Sequence, residues 1–419
     1  MAGDGVLAGA AEGRRMRILR VIPSLNPRDG GPVEGLKRSA EVLDSLGHHT
    51  EVACVDPPDA PWLKDLPFRV HALGPATRPY GFSSRLAPFI RSTRANYDAA
   101  VVHGLWNYSS VGAWLGLRGG ETPYCVFTHG MMDPWFKHEF PVKHAAKQLY
   151  WLLLQGRVLA GAHSVLFTTE EERRLARRSF FGFSGYREEV VAYGAAAPSG
   201  DDDRQIRAFR AALPDLGERR FLLFLSRIHP KKGCDLLVSA FADLAADHPD
   251  LDLVIAGPDQ TGWRKDLDAL AAERGIAGRI RWPGMLSGDA KWGAFRAAEA
   301  FVLPSHQENF GIAVAEAMAC STPVLITDKV NIWREVEAAR AGLVAPDTAP
   351  GIASLLRAFL AFGAAEKAVM GQAARRCFEQ NFDVRSAALS LLDVLARAAA
   401  TRAGPSPSGA DGAISRRLH

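Results

Sequence analysis

Glu308 and Glu316 stand eight positions apart in the stretch Glu308-Asn309-Phe310-Gly311-Ile312-Ala313-Val314-Ala315-Glu316. A carboxylate accepts hydrogen bonds at both oxygens, so it can grip the vicinal hydroxyls of a sugar or a ribose. The apolar run at residues 300–305 reads as a buried strand, and the small-residue run 312–320 as a helix. Gly311 falls at the mouth of that helix, where unsatisfied N–H groups and the helix dipole favour an anion. Eight positions make a little over two helical turns, so one acid can stay on the loop while the other faces the same cleft. A glutamate near a helix N-terminus can also simply answer the dipole, and this stretch alone leaves both readings open.

A basic element earlier in the chain weighs on that choice. Residues 221–225 read as a buried strand running into Ser226-Arg227-Ile228-His229-Pro230-Lys231-Lys232-Gly233, and the apolar spacing becomes helical over 234–245. Cations are thereby held at the carboxyl end of a strand in an expected parallel sheet, where such sheets bind ligands. Arginine as a planar fork and lysine as a point charge can together neutralise a diphosphate.

With both elements in view the chain resembles the retaining glycosyltransferases of family 4. The resemblance rests on Arg227 with Lys232-Gly233, on Glu308 with Phe310-Gly311 and Glu316, and on the strand entry at 319–324; more loosely it extends over residues 17–395. It implies an α/β protein of GT-B fold, two Rossmann-like doubly wound parallel-sheet domains facing a cleft. It implies that Arg227 and Lys232 hold the donor's diphosphate, that Glu308 faces the transferred sugar, and that Glu316 binds the ribose, with Asn309, Phe310 and Gly311 in the same donor site. In the loop 23–32, which ends Asp29-Gly30-Gly31-Pro32, paired glycines allow close backbone approach. By resemblance Gly30 and Gly31 contact the donor phosphate or the acceptor; a tight turn is the plain alternative. His129, at the end of an expected strand, matches a histidine beside the donor sugar and reaction centre. His103, Trp106, Asp133 and Trp135 would line the acceptor side, against the alternative of core or loop histidines and core tryptophans.

The chemistry implied is transfer with retained anomeric configuration. The nucleotide diphosphate departs, positive charge builds at the sugar carbon, and the acceptor hydroxyl attacks on the same face while a leaving-group oxygen takes the proton. Such a reaction asks for positioning and charge stabilisation, with Arg227, Lys232, Glu308 and His129 as the catalytic set. The donor is a nucleotide diphosphate sugar, with no cofactor and no metal. Asp201, Asp202 and Asp203 suit the N-terminus of a following helix rather than a metal ion, since Arg227 and Lys232 already supply positive charge. The absence of GxGxxG after the first strand argues against a nicotinamide enzyme. Two departures from the family pattern stand out: Ser321 replaces the glycine of a Gly-x-Pro turn, and Asn331-Ile332-Trp333-Arg334-Glu335 replaces a Gly-Gly-x-x-Glu-like turn. Asn331 and Trp333 either shape a subgroup pocket or open a helix.

The elements that must position these residues follow from composition and alternation. A chain of 419 residues, 47% hydrophobic and 23% charged, can bury two cores. Strand and helix patterns alternate through both halves, as in parallel sheets covered on both faces. The expected division is a first domain at 16–198 on the acceptor side, a linker at 199–218, and a nucleotide-sugar domain at 219–380. A helix at 381–400 is expected to cross back to the first domain, with 1–15 and 401–419 disordered. Five scattered cysteines, Cys54, Cys125, Cys234, Cys320 and Cys377, show no CxxC spacing and point to a reducing cytoplasm. Residues 149–166, interrupted by Gln155, Arg157 and His163, read as a buried helix followed by a strand rather than a membrane span. The whole net charge of +4 lies before residue 199, where 23 Lys and Arg face 19 acids. That excess is compatible with peripheral docking of the first domain on anionic lipid, although Arg173, Arg174, Arg177 and Arg178 after Glu170, Glu171 and Glu172 read as a solvated helix face. The partners expected are the nucleotide sugar and a glycan or lipid-linked acceptor, with no nucleic acid. A sugar-phosphate synthase with a small soluble acceptor and a non-catalytic nucleotide-sugar-binding module are the competing readings.

Overall fold

The computed structural model describes residues 15–27, 30–77 and 79–401, the side chain of His138 excepted. The expectations for Asp29, for the leader before residue 15 and for the tail after residue 401 lie outside the described residues. Seven strands form the first sheet: β1 Arg17–Val21, β2 His49–Cys54, β3 Arg69–Ala72, β4 Ala99–His103, β5 Tyr124–Phe127, β6 Ser164–Phe167 and β7 Glu188–Val190. Six form the second: β8 Arg220–Leu225, β9 Leu251–Ala256, β10 Ile280–Gly284, β11 Ala300–Leu303, β12 Val324–Thr327 and β13 Gly342–Ala345. Every pairing is parallel, in the orders β3-β2-β1-β4-β5-β6-β7 and β10-β9-β8-β11-β12-β13.

The strand order of each sheet reverses beside its first strand, between β1 and β4 and between β8 and β11. At such a switch point the connections leave to opposite faces and a crevice opens at the carboxyl ends of the strands. Burial on both faces explains why the central strands read as largely apolar runs. In the first sheet successive residues alternate between two cores. Leu19, Val21, Ala100 and Val102 face the first domain's own helices. Ile18, Val101, Cys125 and Leu166 pack against Leu391, Val394 and Leu395 of the last helix, Val384–Thr401. The chain therefore crosses twice between the domains, and the crossings are tied together: Ala195 N–H donates to Phe382 O at 2.7 Å, and Val384 N–H to Ala195 O at 3.1 Å.

Packing bears on several expectations. The segment 199–218 holds the helix expected after the three acids, Asp202–Ala212, docked on the helix Gly288–Ala297 so closely that a Cβ on Gly293 would strike the Gln205 carbonyl. Asp201 caps the former helix, accepting from Arg204 N at 2.6 Å. Residues 149–166 are not wholly buried: a π-helical turn at Trp151–Gln155 points Trp151 and Gln155 inward and leaves Leu149 and Leu153 exposed. Nor do the three acids at 170–172 share a solvated face, for Glu172 is buried. All five cysteines are free and buried. Among the described residues no helix is long and apolar enough to cross a membrane.

Candidate functional site

A cavity of about 740 Å³ lies between the two switch points. From the first domain it is lined by Gly30, Gly31, His129 and Tyr193, and from the second by Arg227, Lys231, Lys232, Glu308, Asn309, Phe310, Gly311 and Glu316. Residues separated by nearly three hundred positions thus meet because the loops after β1, β5, β8 and β11 all open toward one crevice. The helix Ile312–Ala319 starts at the cavity wall, with Gly311 at φ 79° as its cap. That left-handed conformation costs glycine little and turns the chain from the Glu308 loop into the helix.

Lys232 is buried and its ammonium pairs with the Glu308 carboxylate. Burial pushes the Glu308 acid up, but the Lys232 charge and the backbone N–H groups of Phe310 and Gly311 outweigh it and hold Glu308 below the usual range. Glu316 behaves oppositely: burial raises its pKa, and Lys291, whose Nζ lies 2.6 Å from Oε1, offsets this only in part. One carboxylate is therefore fixed as an anion beside a cation, while the other keeps a less stabilised charge.

The first domain contributes two neighbouring histidines. His103 Nδ1 lies 3.1 Å from His129 Nε2, with the ring planes 12° apart and the ring centres 5.3 Å apart. Burial lowers His129 to about 3 and, with the repulsion of His129 and Arg20, takes His103 well below its ordinary value. Both are neutral rings at neutral pH. His129 at φ 50° and Gly130 at φ 72° form a left-handed turn, and a Cβ on Gly130 would come within 2.6 Å of the Asn309 side chain. Glu172 braces this turn. It accepts from Thr128 Oγ1 at 2.6 Å, Gly130 N at 2.5 Å, and both Thr168 N and Thr168 Oγ1 at 2.7 Å. Asn309 Nδ2 reaches across from the second domain to Thr168 Oγ1 at 3.0 Å.

The remaining acceptor-side candidates stand at the rim or behind it. Trp106 packs on Phe180 and Trp151, and its indole N–H donates to Met131 O at 2.9 Å, outside the cavity lining. Asp133 and Trp135 meet the second domain at the rim: Gln307 Nε2 donates to Asp133 Oδ2 at 3.3 Å, and Lys231 Nζ sits 4.1 Å from the Trp135 ring centre and 4.5 Å from that of Phe136. Asn331 bonds Asn309 Oδ1 at 3.4 Å, and Trp333 opens the helix Trp333–Ala339.

Glu172, Lys291 and Tyr193 were not singled out from sequence. For Glu172 a signal existed: Thr169-Glu170-Glu171-Glu172 has the spacing of a capping box, which folds the last acid back over the loop before the helix. Lys291 lies on another helix from Glu316, and no local pattern joins them. Tyr193, donating to Pro32 O at 2.7 Å, packs edge-on against His129 and Phe310, again a purely tertiary arrangement.

Two facing parallel-sheet domains with a cavity at their switch points are the GT-B arrangement. Residues 205–376 match the family model for glycosyl transferases group 1, and residues 30–194 match that for the glycosyl transferase 4-like domain. The chain belongs to the family 4 glycosyltransferases of GT-B fold. It is 28% identical over 388 residues to the phosphatidyl-myo-inositol mannosyltransferase of Mycolicibacterium smegmatis, covering 89% of this chain and 92% of the relative. It is 33% identical over 264 residues to the D-inositol 3-phosphate glycosyltransferase of Jonesia denitrificans, a match spanning 61% of each chain and so less than two thirds of that relative's length. Among solved structures, Anabaena HepE in complex with UDP and glucose superposes with a TM-score of 0.72 at 18% identity, covering 91% of this chain and 100% of HepE. Sucrose-phosphate synthase from Thermosynechococcus elongatus gives 0.71 at 20% identity, covering 92% and 100%.

Proposed function

We propose that the protein transfers a sugar from a nucleotide diphosphate sugar to a hydroxyl of a glycan or lipid-linked acceptor, with retention and without a metal. The observation that carries this reading is the convergence of Arg227, Lys232, Glu308 and Glu316 on one cavity beside a helix N-terminus. In the proposed complex Arg227, Lys232 and the first N–H groups of the helix neutralise the departing diphosphate, which is where charge grows in the transition state. Glu316 takes the ribose hydroxyls. Glu308, kept ionised by Lys232, stands where positive charge develops on the sugar. The complexes of HepE with UDP and glucose and with UDP-glucose support a nucleotide sugar as donor, and the inositol-directed relatives support a polyol or lipid-linked acceptor. Thermal-shift and donor-hydrolysis screens against uridine, guanosine and adenosine diphosphate sugars, with Arg227→Ala as control, test the donor. A selective stabilisation lost in the variant supports the reading; no response to any of them overturns it. The anomeric configuration of the product, read by NMR with and without chelator, tests retention and metal independence.

A second observation favours a cytoplasmic enzyme docked peripherally on the inner membrane face. Phe140, Val142, Leu149, Leu153 and Phe181 are exposed, at 49%, 85%, 60%, 55% and 68%. They cluster because Val142 and Leu149 share one stripe of the helix Pro141–Tyr150, and because Gln148 hydrogen-bonds both N–H and C=O of Phe181. Exposed Lys137, Lys143 and Arg157 flank the patch. Apolar side chains rimmed by cations suit an anionic bilayer surface. Co-sedimentation with anionic vesicles at physiological salt, lost in Leu149→Ser/Leu153→Ser, is the expected result; equal pelleting of wild type and variant would refute the surface.

A further inference from the structure

Arg20 lies inside β1 with 1% of its surface exposed. Its Nη1 donates to Ser39 Oγ at 2.7 Å, but Nε and Nη2 have no hydrogen-bond partner. His103 Nε2 is likewise buried and unpartnered. All three orphaned atoms belong to residues lining one small pocket, with Gly35, Ser39 and Tyr193, under Val384, Ala387 and Leu391 of the last helix. Its volume is about 20 Å³, and a polar pocket above roughly 10–15 Å³ holds a water.

The donor count in this pocket is lopsided. Guanidinium nitrogens only donate, and the Tyr193 hydroxyl gives its hydrogen to Pro32 O, so that only its oxygen can accept here. If His103 Nε2 also bore hydrogen, the pocket would hold more donor hydrogens than acceptors and leave some of them buried and unpaired. If Nε2 carries its lone pair, one water completes the set by accepting from Arg20 and donating to His103. The proton of the neutral His103 ring then sits on Nδ1 and is donated to His129 Nε2, 3.1 Å away. His129, neutral as well, must carry its own proton on Nδ1.

We infer that Arg20, through one bridging water and His103, fixes the tautomer of His129, so that the nitrogen left for the donor cavity bears hydrogen. His129 is thereby a hydrogen-bond donor to a substrate oxygen and no proton acceptor. Arg20 and His103 are positioning residues, and the catalytic consequence rests on the reading above that the cavity holds the donor sugar.

The test begins on the wild-type protein without substrate, by two-bond ¹⁵N–¹H correlation of histidine-labelled protein, so its outcome is independent of whether sugar transfer is found. Both His103 and His129 are expected in the Nδ1–H form; an Nε2–H signature at His129 overturns the proposal. Among variants, Arg20→Met is expected to release the tautomers, and His103→Leu to release that of His129. His103→Gln, whose amide can still donate to His129 Nε2, is expected to restore it. Unchanged tautomers in a folded Arg20→Met would remove Arg20 from the relay. In transfer assays Arg20→Met is expected to lower kcat about tenfold with donor KM changed less than about twofold, the effect of one lost hydrogen bond. A KM effect alone would indicate a merely structural arginine.

Discussion

Replacing the buried Glu172 by alanine should destabilise the first domain strongly. The carboxylate is the partner of two backbone N–H groups, Gly130 and Thr168, which cannot turn elsewhere as hydroxyls can. Each buried donor left unpaired costs about 1–3 kcal/mol, so the pair amounts to roughly 4 kcal/mol. For a domain of this size, where 1 kcal/mol corresponds to about 2–4 °C, the melting temperature should fall on the order of 10 °C. Glu172→Gln separates the effect of charge from that of geometry. Whichever position its amide nitrogen takes, it faces one of the two backbone donors, so about half the loss is expected, near 2 kcal/mol. Differential scanning fluorimetry with urea titration monitored by tryptophan fluorescence reads both numbers. The left-handed turn at His129 and Gly130 loses its brace in the same variants, so turnover should drop with stability. An alanine variant within about 0.5 kcal/mol of wild type would refute the idea that Glu172 holds the turn, because that is the range of an ordinary surface substitution.

Lys232→Ala should remain folded and lose turnover by about a hundredfold, the size of effect seen when one charge-assisted transition-state donor is removed; an unchanged rate would remove its assigned role. Lys291→Met leaves the Glu316 carboxyl with less opposing its burial, so its pKa should rise further and donor KM should increase by roughly three- to tenfold with kcat nearly constant; a kcat effect alone would contradict a ribose contact. Burial holds His129 near 3 in the folded chain against 6.5 for the free ring. The unfolded state therefore binds more protons in that window, and stability should fall as pH drops from 6.5 toward 3, by on the order of 4–5 kcal/mol in full. Equilibrium unfolding of His129→Gln should show a shallower acid limb; identical limbs would mean the ring is not neutral in the fold. Asn309→Ala removes a bond between the domains, and a lower donor affinity with an unchanged melting temperature is expected by calorimetry.

The central strands were legible because β1, β4, β5, β8, β9, β11 and β12 are buried on both faces and therefore mostly apolar, Arg20 in β1 and Asp252 in β9 being the buried charged exceptions. The short edge strands were not. Arg69–Ala72 and Glu188–Val190 carry charge and pair along one side only, so no hydrophobic period marks them. The residues that line the cavity were legible because strand-end loops with glycine, cations and acids have a physical meaning that survives without coordinates. Arg20 illustrates the opposite case: an arginine within an apolar strand reads as an edge or a register marker, and only the last helix, folded back from the far end of the chain, explains its burial. Leu149 and Leu153 misled for a related reason, since one π-helical turn rephases which side of the segment faces inward, and no composition rule announces it.

That folded-back helix also fixes an order of events during synthesis. The core of the first domain includes Leu391, Val394 and Leu395, yet these residues leave the ribosome after the whole of the second domain. The amino-terminal sheet must wait with Ile18, Val101 and Phe127 uncovered on one face until the final turns of chain arrive. The first domain to be made is thus the last to be finished, and a released chain ending just short of residue 384 would present to chaperones a second domain with its core residues in hand and an amino-terminal half still lacking part of its cover.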